Sequence, residues 1–287
     1  NALALLRDAE VRGLRSSLVG YGSSIFACER SGRWEHALAL WDEAGARKLN
    51  ADEIICSATI SALAKGGEWQ RALALLGEVV SRGLKATVIM YGAAMSACEK
   101  GEQWEIAMVL FDGMRGRGLE PDVVTYSALA SACATGGQWG LACGLLQKMQ
   151  DQQLEPDVII YNAVISACDK GVQWERAVDM LYSMRKTGLN PDVVTYNTAM
   201  SACEKGMQGE WALRLLNDMQ ERGLIMDLIT YNVAISICAR FGEWERALTL
   251  LGNMRMAGFE ADAMAQNAYI GACDRAGQWE RALAHFA

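Results

Sequence analysis

Nine cysteines are the most reactive side chains in this 287-residue sequence, and their spacing limits the chemistry they could do. Cysteines paired as C-x-x-C would hold zinc or cycle between thiol and disulfide. No such pair occurs. Seven of them, Cys28, Cys98, Cys133, Cys168, Cys203, Cys238 and Cys273, instead fall on a 35-residue step. Equivalent helices stacked at that period lie about 8–10 Å apart, whereas a disulfide needs Cα atoms within roughly 7 Å. These thiols therefore read as small buried filler. Cys56 stands where the repeat has tyrosine and Cys143 where it has leucine, so both read as core variants. The two histidines, His36 and His285, occupy unrelated repeat positions. The H-x-E and C-x-x-C signature of a zinc deaminase is missing, and no aspartate cluster suggests a metal-dependent nuclease. The sequence predicts neither an enzyme nor a cofactor or metal site.

The elements that would position any site follow from the same period. Tyr91, Tyr126, Tyr161, Tyr196 and Tyr231 are each 35 residues apart, and Ala37, Ala72, Ala107, Ala142, Ala177, Ala212, Ala247 and Ala282 keep that step without a gap. Tryptophan recurs from Trp34 to Trp174 and returns at Trp244 and Trp279. Gly209 takes its place once, with Trp211 displaced by two. With position 1 set at Val193, full repeats run 18–52, 53–87, 88–122, 123–157, 158–192, 193–227 and 228–262. Partial repeats occupy 1–17 and 263–287. Within 158–192, Val158, Tyr161, Ile165 and Cys168 mark one helical face, and Trp174, Ala177, Val178, Leu181 and Met184 mark a second. A glycine separates the two helices in each repeat: Gly32, Gly66, Gly101, Gly136, Gly171, Gly206, Gly242 and Gly277. It reads as the turn residue. After the second helix, segments such as TGLNPD (187–192) place Gly188 as a stop, Pro191 as a helix breaker and Asp192 as the next N-cap. A single hairpin cannot bury its apolar face, but stacked neighbours can. The expectation is an all-α solenoid forming one continuous domain.

Composition agrees. Half of the residues are apolar (52 %), only three prolines occur, and no apolar stretch is long enough to span a membrane.

The pattern V-V-T-Y-N-x-x-x-S-A-C-x-K-G, followed by A-L-x-L-L-x-x-M-x-x-x-G-L-x-P-D, resembles the P-type pentatricopeptide repeat family over essentially the whole chain. The tetratricopeptide repeat has a period of 34 and a different signature, and fits neither way. The resemblance implies a right-handed α-solenoid superhelix of 35-residue helix-turn-helix repeats. It also implies an organellar (chloroplast or mitochondrial) protein that binds single-stranded RNA, one base per repeat, in support of RNA processing, stability or translation. Position 2 of the family supplies apolar groups that sandwich a base. Here these are Val19, Ile54, Ile89, Val124, Ile159, Val194, Ile229 and Met264. The competing reading packs them against the neighbouring hairpin. Positions 5 and 35 read the base. Position 5 is Gly22, Ser57, Gly92, Ser127, Asn162, Asn197, Asn232 and Asn267, and position 35 is Asp52, Thr87, Asp122, Asp157, Asp192, Asp227 and Asp262. An amide both donates and accepts, which suits the Watson–Crick edge of a pyrimidine. The family code then gives G-U-U-U for the repeats from 123 to 262. The three earlier repeats, with Gly22, Ser57 and Gly92, depart from the readable pairs. The aspartates also fit as helix caps.

The net charge of −7 demands that any positive surface be local. Position 13 is basic in seven of eight repeats: Arg30, Lys65, Lys100, Lys170, Lys205, Arg240 and Arg275, with Thr135 the exception. One cation per repeat suits one phosphate per base. Cations at a helix C-terminus also complement its dipole, which is the alternative reading. Glu35, Glu105, Glu175, Glu210, Glu245 and Glu280 begin the second helices and are expected to face solvent. Acids at position 12 (Glu29, Glu99, Asp169, Glu204 and Asp274) stand beside the ladder and weaken its field. This acidity, with the three departing repeats, supports a rival function as a protein-binding scaffold subunit of a large organellar complex. The chain begins at position 19 of one repeat and stops at position 25 of another, so it is expected to be part of a longer protein.

Overall fold

The structure is a computed structural model and describes residues 18–47, 53–278 and 280. The expected partial repeat 1–17, Asp52, Trp279 and Ala282 lie outside the described residues. Fifteen helices follow in pairs: α1 (Leu18–Arg30) and α2 (Trp34–Ala46), α3 (Glu53–Gly66) and α4 (Trp69–Ser81), α5 (Val88–Lys100) and α6 (Trp104–Gly116), α7 (Val123–Thr135) and α8 (Trp139–Asp151), α9 (Val158–Lys170) and α10 (Trp174–Lys186), α11 (Val193–Lys205) and α12 (Gly209–Glu221), α13 (Leu228–Phe241) and α14 (Trp244–Met256), and then α15 (Ala263–Arg275). Their starts agree with the repeat boundaries set by Tyr, Cys and Trp. No helix among the described residues is long and apolar enough to cross a membrane.

Internal contacts divide the chain into two compact units. One holds 1–136 with 144–156, and the other 137–143 with 157–287. In the first, α1 packs on α3, α3 on α5 and α5 on α7. In the second, α9 packs on α11, α11 on α13 and α13 on α15. First helices therefore line up beside first helices, so equivalent positions recur along one surface of each unit.

The recurrent alanines explain how closely each hairpin closes. Ala37, Ala72, Ala107, Ala142, Ala177, Ala212 and Ala247 are fully buried. Tyr21, Tyr126, Tyr161 and Tyr196 fill the larger spaces on the first helices, and the repeat cysteines lie buried as expected. The glutamates that open the second helices are exposed, also as expected.

Each first helix from α7 onward starts on an aspartate. Oδ1 of Asp122, Asp157, Asp192, Asp227 and Asp262 accepts from a backbone N–H three residues on, at 2.7–2.9 Å. This satisfies a donor that the helix leaves open. Gly188, at φ +83°, ends α10 in the left-handed conformation predicted for it. The turn between helices differs from expectation. The left-handed residue is at position 15, which is Gly32, Gly67, Gly137, Gly242 or Gly277 in some repeats but Glu102, Val172 or Met207 in others. Gly101, Gly136, Gly171 and Gly206, at position 14, have φ between −76° and −85°, which any residue adopts. Their glycine has another cause, given below.

Candidate nucleic-acid interface

The position 2 side chains decide between packing and presentation. Val19, Ile54, Ile89, Val124, Ile159, Val194, Ile229 and Met264 are 59–77 % exposed. Their sequence neighbours at position 3, such as Met90, Ile160 and Thr195, are completely buried. The neighbouring hairpin therefore does not cover these apolar groups, and the packing alternative fails. A single exposed valine needs no explanation. An exposed apolar side chain at one station of every first helix is a surface feature.

The position 5 asparagines meet the capping aspartates. Asn232 Nδ2 donates to Asp262 Oδ2 at 2.9 Å, while Oδ1 of the same carboxylate caps α15. Asp262 is held below the usual carboxylate range by the Ala265 N–H and then by the Asn232 amide. Asn197 likewise donates to Asp227. Burial pushes Asp227 up, but hydrogen bonds from Thr230 and Asn197 outweigh it and hold its carboxyl low. One carboxylate thus performs both expected roles. With its N–H group directed at the aspartate, each amide leaves its oxygen over. Oδ1 of Asn197 and Oδ1 of Asn232 are buried without a partner. An orphaned acceptor of this kind costs about 1–3 kcal/mol relative to a paired one. Asn162 differs: its Oδ1 accepts from the Thr195 hydroxyl at 2.6 Å. Asn267 is exposed, and Ser127 is buried on α7.

The basic ladder is already engaged. Lys65 Nζ reaches back to Glu29 Oε1 at 3.0 Å, Lys205 to Asp169 Oδ2 at 2.6 Å and Arg240 to Glu204 Oε1 at 3.3 Å. Each pairs with the position 12 acid of the preceding repeat. Lys100 donates to the Lys65 carbonyl and Arg275 to the Ala239 carbonyl. Position 13 thus ties first helices together through charge and through exposed carbonyls at their C-termini. The cations remain about half exposed, with Lys65, Lys205 and Arg240 at 45–50 %. Arg30 and Lys170 are exposed at their helix ends. In the first repeat a cleft of about 560 Å³ is lined by Val19, Gly22, Phe26, Arg30 and Ile54. This puts positions 2, 5 and 13 on one face, as the spacing requires. The cleft is wide because Gly22 has no side chain.

A contact between repeats went unread in the sequence. The tryptophans are half-buried, and each sits over the position 14 glycine of the next repeat. A Cβ on Gly66, Gly101, Gly136, Gly171 or Gly206 would fall 2.2–2.5 Å from the indole of Trp34, Trp69, Trp104, Trp139 or Trp174. Those glycines are required for space, not for a turn. The signal was available: where Gly209 replaces tryptophan, Phe241 replaces the partner glycine.

Paired helices on a fixed step, joined by repeat-to-repeat contacts, define an α-helical repeat protein. The chain belongs to the pentatricopeptide repeat family. The model described as pentatricopeptide repeat domain matches residues 74–136, 109–171 and 144–205; that described as PPR repeat family matches 191–240; and that described as PPR repeat matches 54–84 and 229–259. No curated protein sequence matches the chain. Among solved structures, the pentatricopeptide repeat protein PPR10 from maize is similar at TM-score 0.67 and 20 % identity, over 99 % of this chain and 45 % of that one. PPR10 in complex with an 18-nt psaJ RNA element is similar at TM-score 0.61 and 20 % identity, over 99 % and 46 %. The PPR domain of Arabidopsis thaliana protein-only RNase P 1 in complex with tRNA follows at TM-score 0.55 and 13 % identity, over 62 % and 94 %. The chain spans a little under half the length of the PPR10 chains.

Proposed function

We propose that this chain binds single-stranded RNA without catalysing a reaction, one base per repeat, on the first-helix surface. The observation that carries the reading is the Asn232–Asp262 pair. Asp262 fixes the amide so that its N–H group is occupied and its oxygen is left over. A lone acceptor selects a base with a ring N–H. Uracil N3 and guanine N1 carry one at neutral pH, whereas cytosine N3 and adenine N1 do not. The pairs Asn162/Asp192, Asn197/Asp227 and Asn232/Asp262 then favour a run of uracils. Exposed Ile159, Val194, Ile229 and Met264 grip the base faces without choosing among them. Lys170, Lys205, Arg240 and Arg275 supply cations for the phosphates. The P-type resemblance adds an organellar setting and a role in RNA processing, stability or translation.

Gel-shift titration with a GUUU-containing oligonucleotide against a scrambled strand tests this at low salt. Preferential retention of the first supports it, and equal or absent binding overturns it.

The scaffold reading keeps one specific support: the position 12 acids already neutralise Lys65, Lys205 and Arg240. Under that reading the protein would co-purify with a stable protein assembly after nuclease treatment, and would bind no oligonucleotide.

A further inference from the structure

Eight of the nine cysteines are buried, and Cys143 is the exception. It lies on α8 at repeat position 21, where the other repeats carry Leu38, Leu73, Met108, Val178, Leu213 and Leu248. Placing a thiol there has a consequence that the 35-residue step conceals. Position 21 of one repeat faces position 11 of the next, and position 11 is the repeat cysteine. Cys143 and Cys168 are therefore within hydrogen-bonding reach of each other. The separation argument that excludes disulfides between equivalent cysteines does not apply to this pair.

The surroundings favour one partner as thiolate. The Arg176 guanidinium stacks over Trp139 at 4.8 Å and hydrogen-bonds the Cys143 sulfur. Trp139 stands one helical turn before Cys143 and is itself seated on Gly171, so the cation cannot readily move away. The Cys168 hydrogen bond and Arg176 together hold the Cys143 thiol down at about 7, against the opposing effect of burial. Cys168 is pushed up, first by that same hydrogen bond and then by burial. Cys98, Cys133 and Cys238 are raised to about 11 and Cys203 to about 12 by desolvation. The thiolate is the reactive form of cysteine.

We propose that Cys143 and Cys168 form an oxidation site, at which a hydroperoxide converts the two thiols into one disulfide joining α8 to α9. The Cys143 thiolate attacks the peroxide oxygen, the O–O bond breaks, and the leaving alkoxide takes a proton to become an alcohol. Cys143 is then a sulfenic acid. The Cys168 sulfur attacks the Cys143 sulfur, the S–O bond breaks, and hydroxide leaves as water with the Cys168 proton. Two thiols lose two electrons and two protons, and one hydroperoxide becomes one alcohol and one water. The same helix α9 carries Ile159 and Asn162, so the bond forms on an element of the candidate interface.

Hydrogen peroxide added to the reduced, folded protein at pH 7, followed by peptide mapping by mass spectrometry, tests the proposal. The expected product is a peptide pair linked through Cys143 and Cys168, with the other cysteines still alkylatable after denaturation. In Cys168→Ser, Cys143 stops at the sulfenic acid and is trapped by dimedone. Iodoacetamide labelling of the unaltered protein gives a readout that needs no variant: Cys143 reacts at least tenfold faster than any other cysteine. Equal labelling rates, or oxidation of other cysteines with no 143–168 link, overturn the proposal.

Discussion

Gly209 and Phe241 form an inverted copy of the contact that Trp174 makes with Gly206 one repeat earlier. A Cβ on Gly209 would lie 2.5 Å from Phe241 Cδ2, and a Cβ on Gly206 the same distance from Trp174 Cδ1. The ring has moved from the second helix of one repeat to the first helix of the next, and the glycine has moved the other way. The space between repeats stays filled. Gly209→Trp alone should overpack it and lower stability by about 1–3 kcal/mol, while Phe241→Gly alone leaves it empty. The double variant should recover most of the loss. A double-mutant cycle by urea unfolding measures the coupling, and strictly additive losses would contradict it.

Val172 and Met207 occupy the left-handed position between helices, at φ +54° and +58°, where other repeats have Gly137 and Gly242. Both side chains are exposed, so replacing them with glycine forfeits little packing. Relief of the backbone should outweigh the added freedom of the unfolded chain. Val172→Gly, which also removes a β-branch, should stabilise by about 0.5–1 kcal/mol. Thermal unfolding reads this as an increased midpoint.

The exposed position 2 side chains separate binding from folding. Serine at Ile159, Val194 and Ile229 together should leave the unfolding midpoint nearly unchanged, since surface substitutions usually stay within about 0.5 kcal/mol each. RNA affinity should drop about tenfold or more for the triple variant. A drop in stability of several kcal/mol would instead reveal a structural role.

Paired acids and cations predict effects of opposite sign. Lys205→Ala should weaken RNA binding and reduce the slope of log affinity against log salt by about 0.7. Glu204→Gln releases Arg240, so affinity should rise although no new contact is made. Each pair is partly exposed and is worth no more than about 1 kcal/mol to folding, so unfolding should change little. Titrations at several salt concentrations check both.

Asp227 ties acid stability to the reading pair. Its folded carboxyl lies below its ordinary value of 3.8, so its contribution is complete above that pH and is lost as pH falls through the lowered folded value. Asp227→Ala should cost about 1 kcal/mol at pH 7 as a lost N-cap. The gap from the unaltered protein should close below pH 3.8. Urea unfolding from pH 7 down to pH 3 follows it, and a gap independent of pH would assign the loss to something other than the carboxylate.

Sequence alone determined the repeat, the helix pairs, the capping aspartates and the station of each candidate base-reading residue. All of these are set by local periodicity and by residues close in the chain, which the 35-residue step of Tyr126, Cys133 and Asp157 displays directly. Tertiary structure decided what touches what across repeats. Whether Ile159 is covered, whether Lys205 is free, why Gly206 is glycine and which thiol Cys143 meets all depend on how one hairpin lies on the next. Helical spacing fixes the face a side chain occupies but not the distance or rotation of the neighbouring helix, and contacts of a few ångströms are governed by that second geometry.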